Sequence, residues 1–258
     1  MSPAPRFLQH LLAVAALCTA GSASAQTKLA SPAPAKASTT PAKSAAVHPT
    51  EKSPDAVLYV PGAYQDWKPA TAPQIASVPG STVRFEGYVD FKGTGEQSFK
   101  FTNAPDWDHT NYGNGGGFNF STDGQAAGLT VPAGGYYELT ADLAKGTWSA
   151  TKTTWSIIGN ATPGGWEKDT PMTYDPDKQV WTVTVALKAD GSFKFRANNA
   201  WKIDLGLDSN GKLQYVDNPF FDYAPQVKDL TVPDDGTYTL TLDLHVPGNY
   251  KYSLVVAK

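Results

Sequence analysis

The chain carries a single cysteine, Cys18, close to its N-terminus. Beyond that point neither a disulfide nor a thiolate metal ligand is possible. Histidine is scarce, with four in all, and no spacing typical of a zinc site occurs. A basic excess is missing: the formal net charge is −3. That argues against nucleic acid as a partner, since its phosphates require a basic footprint. No apolar run is long enough to cross a bilayer. There is no nucleophile elbow or phosphate loop, and no segment has the periodicity of an amphipathic helix. Neither cofactor nor metal is expected.

The first residues read as a targeting signal. Arg6 supplies the positive region, Leu11 to Cys18 a short apolar stretch, and Ala23-Ser24-Ala25 the small residues of a cleavage site. Residues 1–25 are therefore expected to be a signal peptide, with the mature chain beginning at Gln26 and exported. Cys18 is the alternative, as a lipid attachment point. Leu17, however, stands where a lipid box wants a small residue. Residues 26–54 are rich in Ala, Pro, Ser, Thr and Lys without apolar periodicity, and read as a tether that cannot offset its ordering entropy.

The remainder is duplicated. Ser98-Phe99-Lys100-Phe101 recurs as Ser192-Phe193-Lys194-Phe195, and each copy is followed by a tryptophan, Trp107 or Trp201. Upstream, Trp67 and Trp166 each end a Gly-containing loop. Downstream, Leu129-Thr130-Val131-Pro132 matches Leu230-Thr231-Val232-Pro233, and Tyr137 to Leu143 matches Tyr238 to Leu244. Five landmarks in one order mark a tandem repeat, with modules over 55–152 and 153–258. Each copy reads as all-β. Trp181, Val183, Val185 and Leu187 alternate with Thr182 and Thr184, and Val83, Phe85, Val89 and Phe91 share a face in the first copy. Turn residues such as Pro79-Gly80, Asp190-Gly191 and Asn210-Gly211 separate the strands. The expected fold is two tandem immunoglobulin-like β-sandwich domains.

Aromatic residues are the clue to function. Trp148, Trp155 and Trp181 fall in strand patterns or at the domain junction and are expected in cores. Trp166 and Trp201 leave the alternation for loops of Gly, Asn and Pro. Phe193 and Phe195 facing inward would put Lys194 and Arg196 on the outer face, beside Asn198, Asn199, Lys202 and Asp204. The first copy offers Trp67, Trp107, Lys100, Asn103 and Asn111 in the same places. Such a mixture suits a sugar: indole faces meet polarised C–H groups, while amides and cations bridge adjacent hydroxyls. Asp106, Asp108 and His109 are read as a solvated turn, because no further ligand stands at metal spacing. Asp175-Pro176-Asp177 and Asp208 to Gly211 are likewise read as turns.

Trp155 to Trp166, Thr170-Pro171-Met172-Thr173-Tyr174-Asp175 and Phe195 to Trp201 resemble the modules of the SusE/SusF family, surface starch-binding proteins of Bacteroidetes starch-utilisation systems. The stretch from Trp107 to Gly113 is also similar to accessory modules of bacterial pullulanases. The resemblance implies non-catalytic binding of starch or maltooligosaccharide, sites that pair aromatic platforms with an Arg or Lys, an extracellular or outer-membrane location, and outer-membrane glycan-uptake proteins as partners. It carries over to Trp166, Trp201 and Arg196 or Lys194 in the second copy, expected to be the stronger site. In the first it carries over to Trp67, Trp107 and Lys100, with Thr102 standing where the second copy has Arg196. The competing reading is an extracellular protein-interaction or adhesion module, which would present a broad apolar patch instead. A glycoside hydrolase is a third, since paired carboxylates can lie far apart in sequence.

Overall fold

The computed structural model describes residues 56–220 and 226–257. The expected signal peptide, the tether and Cys18 lie outside them. The described residues belong to one compact unit, Thr50–Lys258. They are all-β: no α-helix occurs among them, only two short 3-10 segments, Ala63–Gln65 and Pro69–Thr71.

Before Thr153 the strands are β1 (Val57–Tyr59), β2 (Gln74–Ser77), β3 (Arg84–Phe91), β4 (Gln97–Phe99), β5 (Phe101–Thr102), β6 (Asn111–Asn114), β7 (Phe120–Ser121), β8 (Leu129–Val131), β9 (Gly135–Asp142) and β10 (Thr147–Lys152). Eight of them form one sheet in the order β10-β9-β3-β2-β1-β5-β6-β7, and β4 pairs with β8. Phe85, Leu139, Trp148, Leu58 and Phe101 of the large sheet share a core with Phe99 of β4. After Thr154 come β11 (Trp155–Gly159), β12 (Gly165–Pro171), β13 (Thr173–Asp175), β14 (Val180–Leu187), β15 (Lys194–Ala197), β16 (Asp204–Leu207), β17 (Leu213–Asp217), β18 (Gly236–Asp243) and β19 (Lys251–Val256). A five-stranded sheet, β12-β11-β15-β16-β17, and a four-stranded one, β13-β14-β18-β19, enclose a second core. All these ladders are antiparallel, and none joins a strand before Thr153 to one after it.

The two copies share local devices as well as strands. Tyr137 donates to Ala133 O at 2.9 Å and Tyr238 to Asp234 O at 2.8 Å, the same tyrosine corner twice. Gly62 and Gly159 are each pressed onto the Ser-Phe pair of the repeated strand. A Cβ would come within 2.6 Å of Ser98 O in one and 2.1 Å of Ser192 O in the other. This contact anchors the start of each tryptophan loop. Trp148, Trp155 and Trp181 are buried, as their places in the alternation require.

One strand departs from expectation. Phe85, Val89 and Phe91 face the first core, but Val83 is exposed and precedes the strand. The opposite face of β3 is not solvated either: Glu86 and Tyr88 are buried there, with Glu138 across the ladder. They meet side chains from after Thr154. Tyr215 Oη lies 2.8 Å from both Glu86 Oε1 and Tyr88 Oη, Tyr250 Oη is 2.8 Å from each Glu86 oxygen, and Asn218 Nδ2 donates to Glu138 at 2.6 Å. Burial, and for Glu86 the neighbouring Glu138 charge, push the carboxyls up to about 8 for Glu86 and about 7 for Glu138, against the opposing hydrogen bonds. Tyr88 and Tyr136 pack into the second core through Trp155 and Trp181.

Candidate functional site

Each copy holds a pair of surface tryptophans in nearly the same arrangement, all exposed except the half-buried Trp67. Trp67 and Trp107 have ring centroids 6.3 Å apart and planes inclined at 43°. Trp166 and Trp201 are 6.1 Å apart at 38°. Trp107 and Trp166 are 40% exposed and Trp201 47%; Trp166 lies in strand β12 rather than in the loop expected of it.

In the first copy Gly62 O accepts from Gln65 N at 3.2 Å and Trp67 N at 2.9 Å, closing the loop. Asp66 and Trp67 take φ of 61° and 56°, a conformation that costs a bulky side chain energy and is tolerated where the surroundings enforce it. Trp107 Nε1 donates to Trp67 O at 3.3 Å, tying the second ring to the first loop. The Thr102 hydroxyl lies 2.9 Å from Ala104 O and 3.1 Å from Asp106 O, and Asn111 Nδ2 is 3.1 Å from both Trp107 O and His109 O. These bonds shape the turn that carries Trp107. Asp106 accepts from Asp108 N and from His109 Nδ1 within it; the His109 bond holds the Asp106 carboxyl low and raises His109. The result is an open groove of about 610 Å³ lined by Trp67, Lys100, Trp107, Asn111, Gly124 and Gln125. Lys100 Nζ reaches Gly124 O at 3.4 Å, a weak bond. Asn103 is exposed near the Trp107 turn and is not among the groove's lining residues.

In the second copy Trp201 lies over a guanidinium, with Arg196 Cζ 4.4 Å from the ring centroid. Arg196 Nε donates to Asp169 Oδ1 at 2.8 Å and Nη2 to Asp169 Oδ2. Ser156 Oγ donates to the same carboxylate at 2.6 Å. The Arg196 hydrogen bonds hold the Asp169 carboxyl below the usual carboxylate range. Asn198 and Asn199 have φ of 56° and 53°, and Ala200 N bonds Ala197 O at 3.1 Å. Two consecutive positive φ angles make a tight turn for which Asn is suited, and it delivers Trp201 to the platform.

No protein-family model matches the chain, and no curated protein matches it. Among solved structures it is similar to SusF from Bacteroides thetaiotaomicron, at 14% identity and a TM-score of 0.31. The match covers 78% of this chain and 48% of that one, so the chain spans about half the length of that structure.

The structure brings together Trp166, Trp201 and Arg196, and separately Trp67, Trp107, Lys100 and Asn111. Several other side chains are placed differently from expectation. Arg196 does not stand on an open face: it is 7% exposed, because β12 brings Asp169 onto it. Lys194 Nζ lies 3.6 Å from both Asp204 and Asp229. Asp204 is buried, which raises its carboxyl while Lys194 opposes the rise. Asn198 spends its amide on the connection between the copies, 2.8 Å from Lys152 O and 2.9 Å from Thr154 N. Asn199 Oδ1 lies 3.4 Å from Ser156 Oγ. Lys202 is exposed and makes no ion pair among the described residues. Asp169, Ser156 and Gln125 escaped the sequence reading. No repeat landmark includes Asp169 or Gln125, Ser156 stood out only as part of an apolar run, and the register that sets β12 beside β11 is not written in β12 itself.

Asp208 accepts from Asn210 N and Lys212 N, and Asp175 from Asp177 N and Lys178 N, so both acidic stretches are turns. Among the described residues no cluster of His, Cys, Asp or Glu could hold a metal ion, and no helix is long and apolar enough to cross a membrane.

Proposed function

We propose that the chain is an exported, non-catalytic binding protein for an α-glucan such as starch, made of tandem modules over 55–152 and 153–258, each with one tryptophan-pair site. The observation that supports this reading is the recurrence of one ring geometry, near 6 Å and 40°, at equivalent places in both copies. Core tryptophans need no such match and no open face. Two adjacent inclined rings suit successive sugars of a curved chain, whose C–H faces meet the negative face of the indole. Two weak sites on one chain can engage one polymer and raise avidity. The N-terminal signal would take the protein outside the cell or to the outer-membrane surface, where glycan-uptake proteins would be its partners.

The test is native affinity electrophoresis in gels with starch, with cellulose and without polysaccharide. Retardation by starch alone is expected, and loss of either ring pair should weaken it. Equal migration in all three gels would refute the reading. No reducing sugar should be released from starch above a heat-killed control.

A further inference from the structure

The two platforms are held by different means. The Trp107 ring is pinned by its own hydrogen bond to Trp67 O. Among the described residues the Trp201 indole nitrogen has no such bond. Its ring contacts are Trp166, at 6.1 Å, and the Arg196 guanidinium, at 4.4 Å. The angle of Trp201 therefore depends on where that guanidinium lies. Arg196 is nearly removed from water, and a buried cation holds its place only with a well-placed counter-charge. Asp169 provides it through two parallel bonds, which fix the guanidinium plane as well as its position. Ser156 fixes the carboxylate in turn.

We infer that Asp169 is a positioning residue of the second site: by clamping Arg196 against Trp201 it sets the ring angle that receives the glycan. The role rests on the α-glucan reading given above. It makes the second site depend on an ion pair, where the first depends on neutral hydrogen bonds. The Asp169 side chain is only 11% exposed and is spent on Arg196 and Ser156, so its removal acts through two intermediaries.

The experiment uses the full chain carrying Trp107→Ala, so that the second site alone reports. Affinity for maltoheptaose, a soluble α-1,4-glucan, is measured for Asp169→Asn, Asp169→Glu, Arg196→Lys and, as a control, Asp175→Asn at an exposed ion pair elsewhere. In parallel, NMR follows the Arg196 Nε–H signal, which stacking on the indole should displace by ring current. Asp169→Asn keeps the shape and removes the charge. It should cost about tenfold in affinity, part of what a stacked ring contributes, and should abolish the ring-current displacement. Arg196→Lys keeps the charge and loses the plane, and should weaken binding similarly. Asp169→Glu should recover part of the affinity, and Asp175→Asn should match the parent. Parental affinity in Asp169→Asn, or a displacement that survives in it, would overturn the inference. If the parent itself does not bind maltoheptaose, the α-glucan reading fails, while the Arg196 signal in Asp169→Asn still decides whether Asp169 holds the stack.

Discussion

The two copies solve one problem, holding a pair of tryptophans at a fixed angle, with different chemistry. In the first, Thr102, Asn111 and the Trp107 indole are neutral groups bonded to backbone carbonyls, and the Trp67 loop adopts positive φ without a glycine. In the second, Gly165 takes the positive φ before Trp166, and an Arg–Asp pair supports Trp201. Position 102 and its counterpart 196 sit at the same place in the repeated strand, yet one shapes a turn and the other underlies a ring. A duplicated scaffold can keep a surface geometry while its supports diverge, because more than one set of contacts can hold a ring in the same place.

The copies differ as sharply on their outer sheet faces. Glu86, Tyr88 and Glu138 of the first correspond to Thr182, Thr184 and Thr239 of the second. Tyr88 pairs with Glu138 as Thr184 pairs with Thr239. The threonine face stays at the surface, with Thr184 and Thr239 hydroxyls 2.9 Å apart, while the Glu/Tyr face is buried against Tyr215, Asn218 and Tyr250.

Four measurements would break or sharpen these contrasts. Trp181→Ala should lose about 3–5 kcal/mol of stability in chemical denaturation, since its ring fills the second core. Trp201→Ala, at an open loop, should leave the melting temperature nearly unchanged while removing most starch retardation. Equal stability losses would mean that the platform ring is a core ring.

The second measurement concerns pH. Both buried carboxyls bind their proton more tightly folded than in the unfolded chain, whose glutamates titrate near 4.5. Folding is therefore favoured with the pair protonated, and stability should fall as pH rises from about 5 to about 8.5, by on the order of 6 kcal/mol. Glu86→Gln with Glu138→Gln should flatten that slope and stabilise the protein at pH 8.5. A stability that rises across the range, unchanged in the double variant, would contradict the assignment.

The third is Thr102→Val, which leaves Asp106 O and Ala104 O without the hydroxyl and should cost about 1–2 kcal/mol. It should weaken the first site in a Trp201→Ala background and leave the second unaffected in a Trp107→Ala background. The smallest effect is expected for Asn198→Gly, which keeps the positive φ and deletes the bonds to Lys152 O and Thr154 N. A loss of about 1 kcal/mol with unchanged starch retardation is expected; reduced retardation would place Asn198 in the site.

Much of this was legible. Period-two alternation identified Trp181 and Trp148 as core, and departure from it into a Gly/Asn loop identified Trp201 as exposed; Trp166, read the same way, is exposed on strand β12 instead. Both follow from one rule: successive strand residues face opposite sides. The same rule put Lys194 and Arg196 on the face opposite Phe193 and Phe195, but could not say what covered that face. Asp169, Asp204 and Asp229 arrive there from other segments, and a single strand carries no record of its neighbours.

By itself, then, the sequence determined the duplication, the all-β architecture, and that Trp148, Trp155 and Trp181 fill cores, because these depend on local periodicity and turn chemistry. The tertiary structure alone decided that Arg196 is clamped beneath Trp201, that Lys194 is shared between two carboxylates, and that Glu86 and Glu138 are buried together. Those outcomes depend on register and packing between segments far apart in the chain. There the cost of burying a charge selects its partner.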